Sequence, residues 1–124
     1  MSGFGKYTFY NGDEFIGDFY LGLFKRGKLT YDYHPSGMIY ESGEWKDGSL
    51  DGYGIRAWEK SEDDKQEPKY EGGFKNGLKQ GYGKYWYGSG AVFEGYFDCC
   101  SEEKSFQTGV MTYVSGETKS GTWK

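Results

Sequence analysis

Two prolines, one histidine and two cysteines are all this 124-residue chain has of the residues that most often stiffen, titrate or cross-link a small protein. The cysteines are neighbours, Cys99 and Cys100, so they cannot staple distant segments together. A disulfide scaffold is excluded, and a reducing compartment is expected. His34 stands alone before Pro35, where a turn is expected. Any Ser/His/Asp or Cys/His catalytic arrangement would have to use it, and no motif for one surrounds it. No metal site, no cofactor and no enzymatic activity are therefore expected. Leu, Ile and Val number only eleven, too few for a Leu/Ala helical bundle, a coiled coil or a parallel sheet of Val/Ile runs. Basic residues are not in excess: 15 Lys and Arg face 19 Asp and Glu, for a net charge of −4. Nucleic-acid binding and general affinity for anionic membrane are both disfavoured by that balance. No apolar run reaches membrane-spanning length. The start of the sequence has no basic, apolar leader, and its first glycine is at position 3, so neither a signal peptide nor a myristoylation signal is read. The expectation is a cytoplasmic chain that is not secreted.

What the chain does have is 22 glycines and 21% aromatic residues. A buried ring removes about 150–250 Å² from water, so a core can be built from rings in place of aliphatics. These residues fall in two interleaved patterns. The first is aromatic-x-Gly-x-aromatic, at Phe15-Ile16-Gly17-Asp18-Phe19, Tyr70-Glu71-Gly72-Gly73-Phe74 and Phe93-Glu94-Gly95-Tyr96-Phe97. Reduced copies at Gly43-Glu44-Trp45 and Gly121-Thr122-Trp123 keep the glycine and the second ring; in the former, Tyr40 is one residue out of step. The second pattern is Gly-x-Gly-x-(aromatic or long), at Gly3-Phe4-Gly5-Lys6-Tyr7, Gly52-Tyr53-Gly54-Ile55-Arg56 and Gly81-Tyr82-Gly83-Lys84-Tyr85. Weaker copies begin at Gly27 and Gly109, with Leu29 and Met111 read in the place of the second glycine.

Both patterns have period two, which is that of a strand with two unlike faces. Turn signals separate them: Asn11-Gly12, Ser36-Gly37, Asp47-Gly48, Asn76-Gly77, Ser89-Gly90 and Ser115-Gly116. The spacing predicts one all-β domain over 1–124, a single-layer antiparallel meander of about ten strands. They are placed near 4–10, 14–20, 27–33, 38–46, 53–58, 69–75, 82–87, 91–97, 109–114 and 118–123. Sheet twist should curl the meander into an open trough. Two polar inserts break the period, at 59–69 and 99–108, and both read as loops that lengthen a turn, the first of them mobile.

Residues 70–90, from Tyr70-Glu71-Gly72 through Asn76-Gly77 and Gly81-Tyr82-Gly83 to Gly90, resemble a full MORN (membrane occupation and recognition nexus) repeat. The resemblance extends over nearly the whole chain as about four repeats with half-repeats at both ends. It implies β-hairpin repeats and a non-catalytic scaffold or accessory subunit holding a protein partner, a helix or an extended segment, in an aromatic trough. It also implies a cytoskeletal or ciliary assembly, or a regulatory repeat domain within a larger enzyme complex.

A meander without helices is expected to leave its ring-bearing face uncovered, and such stripes mark interaction surfaces. The expected partner-binding residues are Phe15, Phe19, Tyr31, Tyr33, Trp45, Trp58, Tyr70, Phe74, Tyr85, Tyr87, Phe93 and Phe97. The alternative is an acidic phospholipid module using the cluster Lys25, Arg26 and Lys28, with Lys75, Lys79 and Lys84 as a later basic patch. Open edges near Phe4–Tyr10 and Lys119–Trp123 offer self-association.

Overall fold

The computed structural model describes residues 3–98 and 106–123. Cys99, Cys100 and the second insert as far as residue 105 lie outside the described residues. Ten strands follow one another: β1 (Gly3–Thr8), β2 (Glu14–Tyr20), β3 (Leu23–Thr30), β4 (Met38–Lys46), β5 (Ser49–Trp58), β6 (Lys69–Lys75), β7 (Leu78–Trp86), β8 (Val92–Asp98), β9 (Phe106–Thr112) and β10 (Thr118–Trp123). They form one sheet in the order β1 to β10, each pair antiparallel, with no helix among the described residues. The even-numbered strands β2, β4, β6 and β10 have the expected bounds. β3, β5, β7 and β9 begin three or four residues earlier than expected. The first three of these follow two-residue turns, Leu21-Gly22, Asp47-Gly48 and Asn76-Gly77, all with positive φ at both positions. Such turns let strand pairing run up to the corner.

The register lines up one glycine from every strand. Gly5 faces Gly17, and the row continues through Gly27, Gly43, Gly54, Gly72, Gly83, Gly95 and Gly109 to Gly121. This corrects the alignment of the weaker copies. Gly27 and Gly109 belong to the row and match Gly5, Gly54 and Gly83, the second glycines of their pairs. Leu29 and Met111 are then the long residues two positions on, facing Phe15 and Phe93. In β9 it is the first glycine that is missing, and Gln107 stands in its place.

The row is where the sheet folds over. Residues four apart in an extended strand are separated by about 13 Å. Yet ring centroids of Phe15 and Phe19 are 5.3 Å apart, Tyr70 and Phe74 5.1 Å, and Phe93 and Phe97 5.3 Å, all edge to face. Each pair brackets one glycine of the row, so the strand bends there and its two rings close over the bend. β-bulges at Asp18/Phe19, Gly43/Trp45 and Gly72/Phe74 sit just beyond the row and increase the turn. The space inside is tight. A Cβ on Gly17 would lie 2.1 Å from the Arg26 carbonyl oxygen, and one on Gly83 would lie 2.5–2.7 Å from atoms of Tyr70.

This geometry corrects the expectation of an uncovered ring face. Phe15, Tyr70 and Phe93 are 0% exposed, and Phe19, Trp45, Phe74 and Phe97 no more than 5%. A single layer hides its own rings because it is creased along the glycines, so the two halves of each strand cover one another. The convex face carries the charges, with Lys84 between Glu71 and Glu94 in the register. It also carries exposed Phe4, Tyr53, Tyr82 and Tyr96.

The 59–69 insert is hydrogen-bonded to the neighbouring turn and strand. The Lys65 amide donates to the Gly88 carbonyl at 2.7 Å, the Gln66 side-chain amide to the Tyr87 carbonyl at 2.7 Å, and the Trp58 amide to the Pro68 carbonyl at 3.0 Å. A polar sequence supplies the donors that satisfy the carbonyls of the neighbouring turn.

Candidate functional site

Of the twelve residues expected at a binding surface, seven are buried and serve as core. Tyr33 is 78% exposed beyond the end of β3. The remaining four, Tyr31, Trp58, Tyr85 and Tyr87, are half-buried. Three of these adjoin: ring centroids of Trp58 and Tyr85 are 5.7 Å apart, and those of Tyr85 and Tyr87 4.6 Å. Tyr31, Trp58 and Tyr87 are placed by one device. Each lies four residues past its row glycine, and its amide donates across the hairpin to Ile39, Pro68 or Ala91. Phe9 and Tyr113 hold the same place in the outermost hairpins. An aromatic residue thus closes the turn end of every repeat on the concave side.

Beside these rings the concave face turns polar. Glu41 occupies the position that Phe15, Tyr70 and Phe93 hold in their strands, two residues before the row glycine, and it is 6% exposed. Its cross-strand partner in the register is Arg56. The Arg56 guanidinium donates to Glu41 through Nε at 2.8 Å and through a terminal nitrogen, and to the Gly77 carbonyl at 2.7 Å. The Tyr31 hydroxyl donates to the other Glu41 oxygen. Burial, with the Glu41 carboxylate beside it, raises the Tyr31 pKa well above the ordinary phenol value. Sequence reasoning missed Glu41. The signal was present as Tyr40 standing one residue out of step, which leaves Glu41 in the ring position.

Lys79 faces Phe74 across the β6–β7 pair. Its ammonium lies 5.2 Å from the Tyr85 ring centroid and 5.8 Å from those of Trp58 and Tyr70. Burial, then the nearby Arg56 charge, lowers its pKa. The Lys75, Lys79 and Lys84 patch is accordingly dispersed, because Lys79 shares the concave face with Gly81 and Gly83 while Lys84 lies on the convex one. Lys25, Arg26 and Lys28 are all exposed. Arg26 lies 3.9 Å from Glu44, Lys28 sits 4.2 Å from the Tyr40 ring centroid and Lys25 5.9 Å from that of Tyr20. His34 contacts the Ser36 hydroxyl at 2.8 Å and packs edge-on against Tyr31.

The MORN repeat family model matches residues 1–14, 42–61 and 70–92. These three segments are MORN repeats. No curated protein matches it. Between and beyond the three matched segments the glycine row continues through Gly17, Gly27, Gly95, Gly109 and Gly121. The sequence pattern weakens there because glutamate, lysine and glutamine replace a ring or a glycine, at Glu41, Lys119 and Gln107, while the row itself is kept. The MORN repeat is a non-catalytic repeat module that suits binding and scaffolding.

Tyr70 gives this core an alkaline limit. Its hydroxyl donates to the Gly73 carbonyl at 2.8 Å, and burial pushes its pKa up from 10.0 to about 12. The fold favours the protonated phenol, so this stabilisation is complete below pH 10 and is lost as pH rises through 12. A two-unit shift in a fully buried group corresponds to roughly 2–3 kcal/mol. Denaturant titrations at pH 9 and pH 12 should show a smaller difference for Tyr70→Phe than for the natural sequence. An unchanged difference would mean that other tyrosines set the limit.

Proposed function

We propose that the chain is a non-catalytic scaffold that grips a protein partner, a helix or an extended segment, on the concave side of its creased sheet. The contact is made by Tyr31, Trp58, Tyr85 and Tyr87, and the seven buried rings are the rigid floor beneath them. A cytoskeletal or ciliary assembly as its setting belongs to the same reading and rests on the family resemblance. The observation that carries the proposal is the division among the rings. Seven rings are buried against one another, whereas Trp58, Tyr85 and Tyr87 adjoin one another and remain half-buried. Half-buried Trp and Tyr held by a rigid support are the residues that most often anchor a partner.

A photo-crosslinking residue in place of Trp58, compared with one in place of convex Tyr96, tests this in native extract. One discrete partner is expected to be trapped from position 58 and not from 96, and to be lost when Tyr87→Ala is added. That second variant is expected to remain folded, because Tyr87 lies outside the floor. Trapping from position 96 alone would place the contact on the convex face and overturn the proposal.

A further inference from the structure

Lys79 is a half-buried cation of the concave face with no carboxylate paired to it among the described residues. Arg56 is committed to Glu41 and the Gly77 carbonyl. Lys79 has only rings around its ammonium, and among the described residues it has no carboxylate within 4 Å and no hydrogen-bond acceptor. Three aromatic faces offset part of the expense of removing an ammonium from water. They leave its N–H donors unused, because a ring supplies charge density but no directed acceptor. No buried side-chain nitrogen or oxygen lacks a partner among the described residues, so the ammonium is not sealed from solvent. The lowered pKa agrees with a charge held without an anion.

We propose that the occupant of the concave face is an apolar segment bearing a single Asp or Glu, whose carboxylate sits on the Lys79 ammonium while its apolar neighbours lie on Trp58 and Tyr85. This rests on the concave-face reading given above and adds the partner's chemistry. One lysine matches one monoanion. A strongly acidic segment is disfavoured by the chain's own net charge of −4, and so is a phosphate-rich lipid surface. The rings beside Lys79 require apolar groups next to the carboxylate, which a peptide supplies and a free anion does not.

Two blocked peptides, Leu-Glu-Phe-Leu and Leu-Gln-Phe-Leu, and inorganic phosphate serve as probes. Binding is read by the NMR shift of the Trp58 indole and by the rate at which trinitrobenzenesulfonate labels Lys79. The Glu peptide should bind at least about fivefold more tightly than the Gln peptide, about 1 kcal/mol, and slow the labelling. In Lys79→Gln, and equally in Lys79→Met, the indole shift should no longer distinguish the two peptides. Equal binding of both peptides to the natural sequence would overturn the carboxylate assignment and leave the concave-face reading standing. Binding of neither, or of phosphate in preference to the Glu peptide, would also overturn the assignment. Discrimination that survives in both Lys79 variants would place the anion contact elsewhere.

Discussion

Gly95→Ala is expected to destabilise the protein by about 3 kcal/mol, lowering the melting temperature by roughly 10 °C. The added methyl would lie 2.3 Å from the Thr108 carbonyl oxygen and 2.7 Å from the Gly109 α-carbon. Both are backbone atoms of the paired strand, so no side chain can swing aside to relieve the clash. The strand must flatten, which would separate Phe93 from Phe97 and expose both. An opposing gain of up to about 1 kcal/mol comes from the restricted unfolded chain, so the clash must outweigh it. Gly83→Ala should behave similarly for a different reason. Its methyl meets the Tyr70 ring at 2.5–2.7 Å, and that ring is fully buried with nowhere to retreat. Ser120→Ala, exposed in β10, is the control and should stay within about 0.5 kcal/mol of the natural sequence. Thermal unfolding followed by near-ultraviolet circular dichroism measures all three. If Gly95→Ala unfolds with Ser120→Ala, the glycines are not what permits the crease.

The meander was legible in the sequence because its cause is local. Period-two glycine and aromatic patterns, with Asn-Gly and Asp-Gly between them, specify strands and tight turns without reference to the rest of the chain. The turn at Leu21-Gly22 was not legible. Leu21 has φ of 51°, a conformation that leucine rarely adopts, and it is imposed by pairing on both sides. The alignment of Gly27 and Gly109 escaped for a related reason. A glycine pair reduced to one member is ambiguous by two residues, and only the cross-strand register resolves which member survives. For the site, sequence alone identified the seven buried rings but left out Phe9, Phe24 and Trp123, which pack against them, and did not show which rings stay accessible. That division depends on how sharply the sheet bends, and the bend is a property of ten glycines acting together. The Glu41–Arg56 pair and the caging of Lys79 depend on the same register.

Glu41→Gln should cost about 3–5 kcal/mol, because it leaves the Arg56 guanidinium buried without its counter-charge. The Arg56 side chain is only 16% exposed, and the acceptors left to it, the glutamine amide oxygen and the Gly77 carbonyl, carry no charge. The double variant Glu41→Phe with Arg56→Leu should recover most or all of that loss. Two other repeats provide the reason: Phe15 faces Leu29 and Phe93 faces Met111 at the equivalent cross-strand positions. A ring and a long aliphatic side chain therefore fit this site, and a buried ion pair is seldom more stabilising than apolar groups of similar volume. Arg56→Leu alone should be as damaging as Glu41→Gln, since it strands a carboxylate that then accepts only from Tyr31. Urea titrations of the natural sequence, both single variants and the double variant give the coupling energy directly. Recovery in the double variant would mean that the pair contributes little net stability. Its role would then lie in fixing which strands pair, because a hairpin register shifted by one whole repeat would set Glu41 against an apolar position. If the double variant stays as unstable as the single ones, the ion pair itself is a principal support of the concave face.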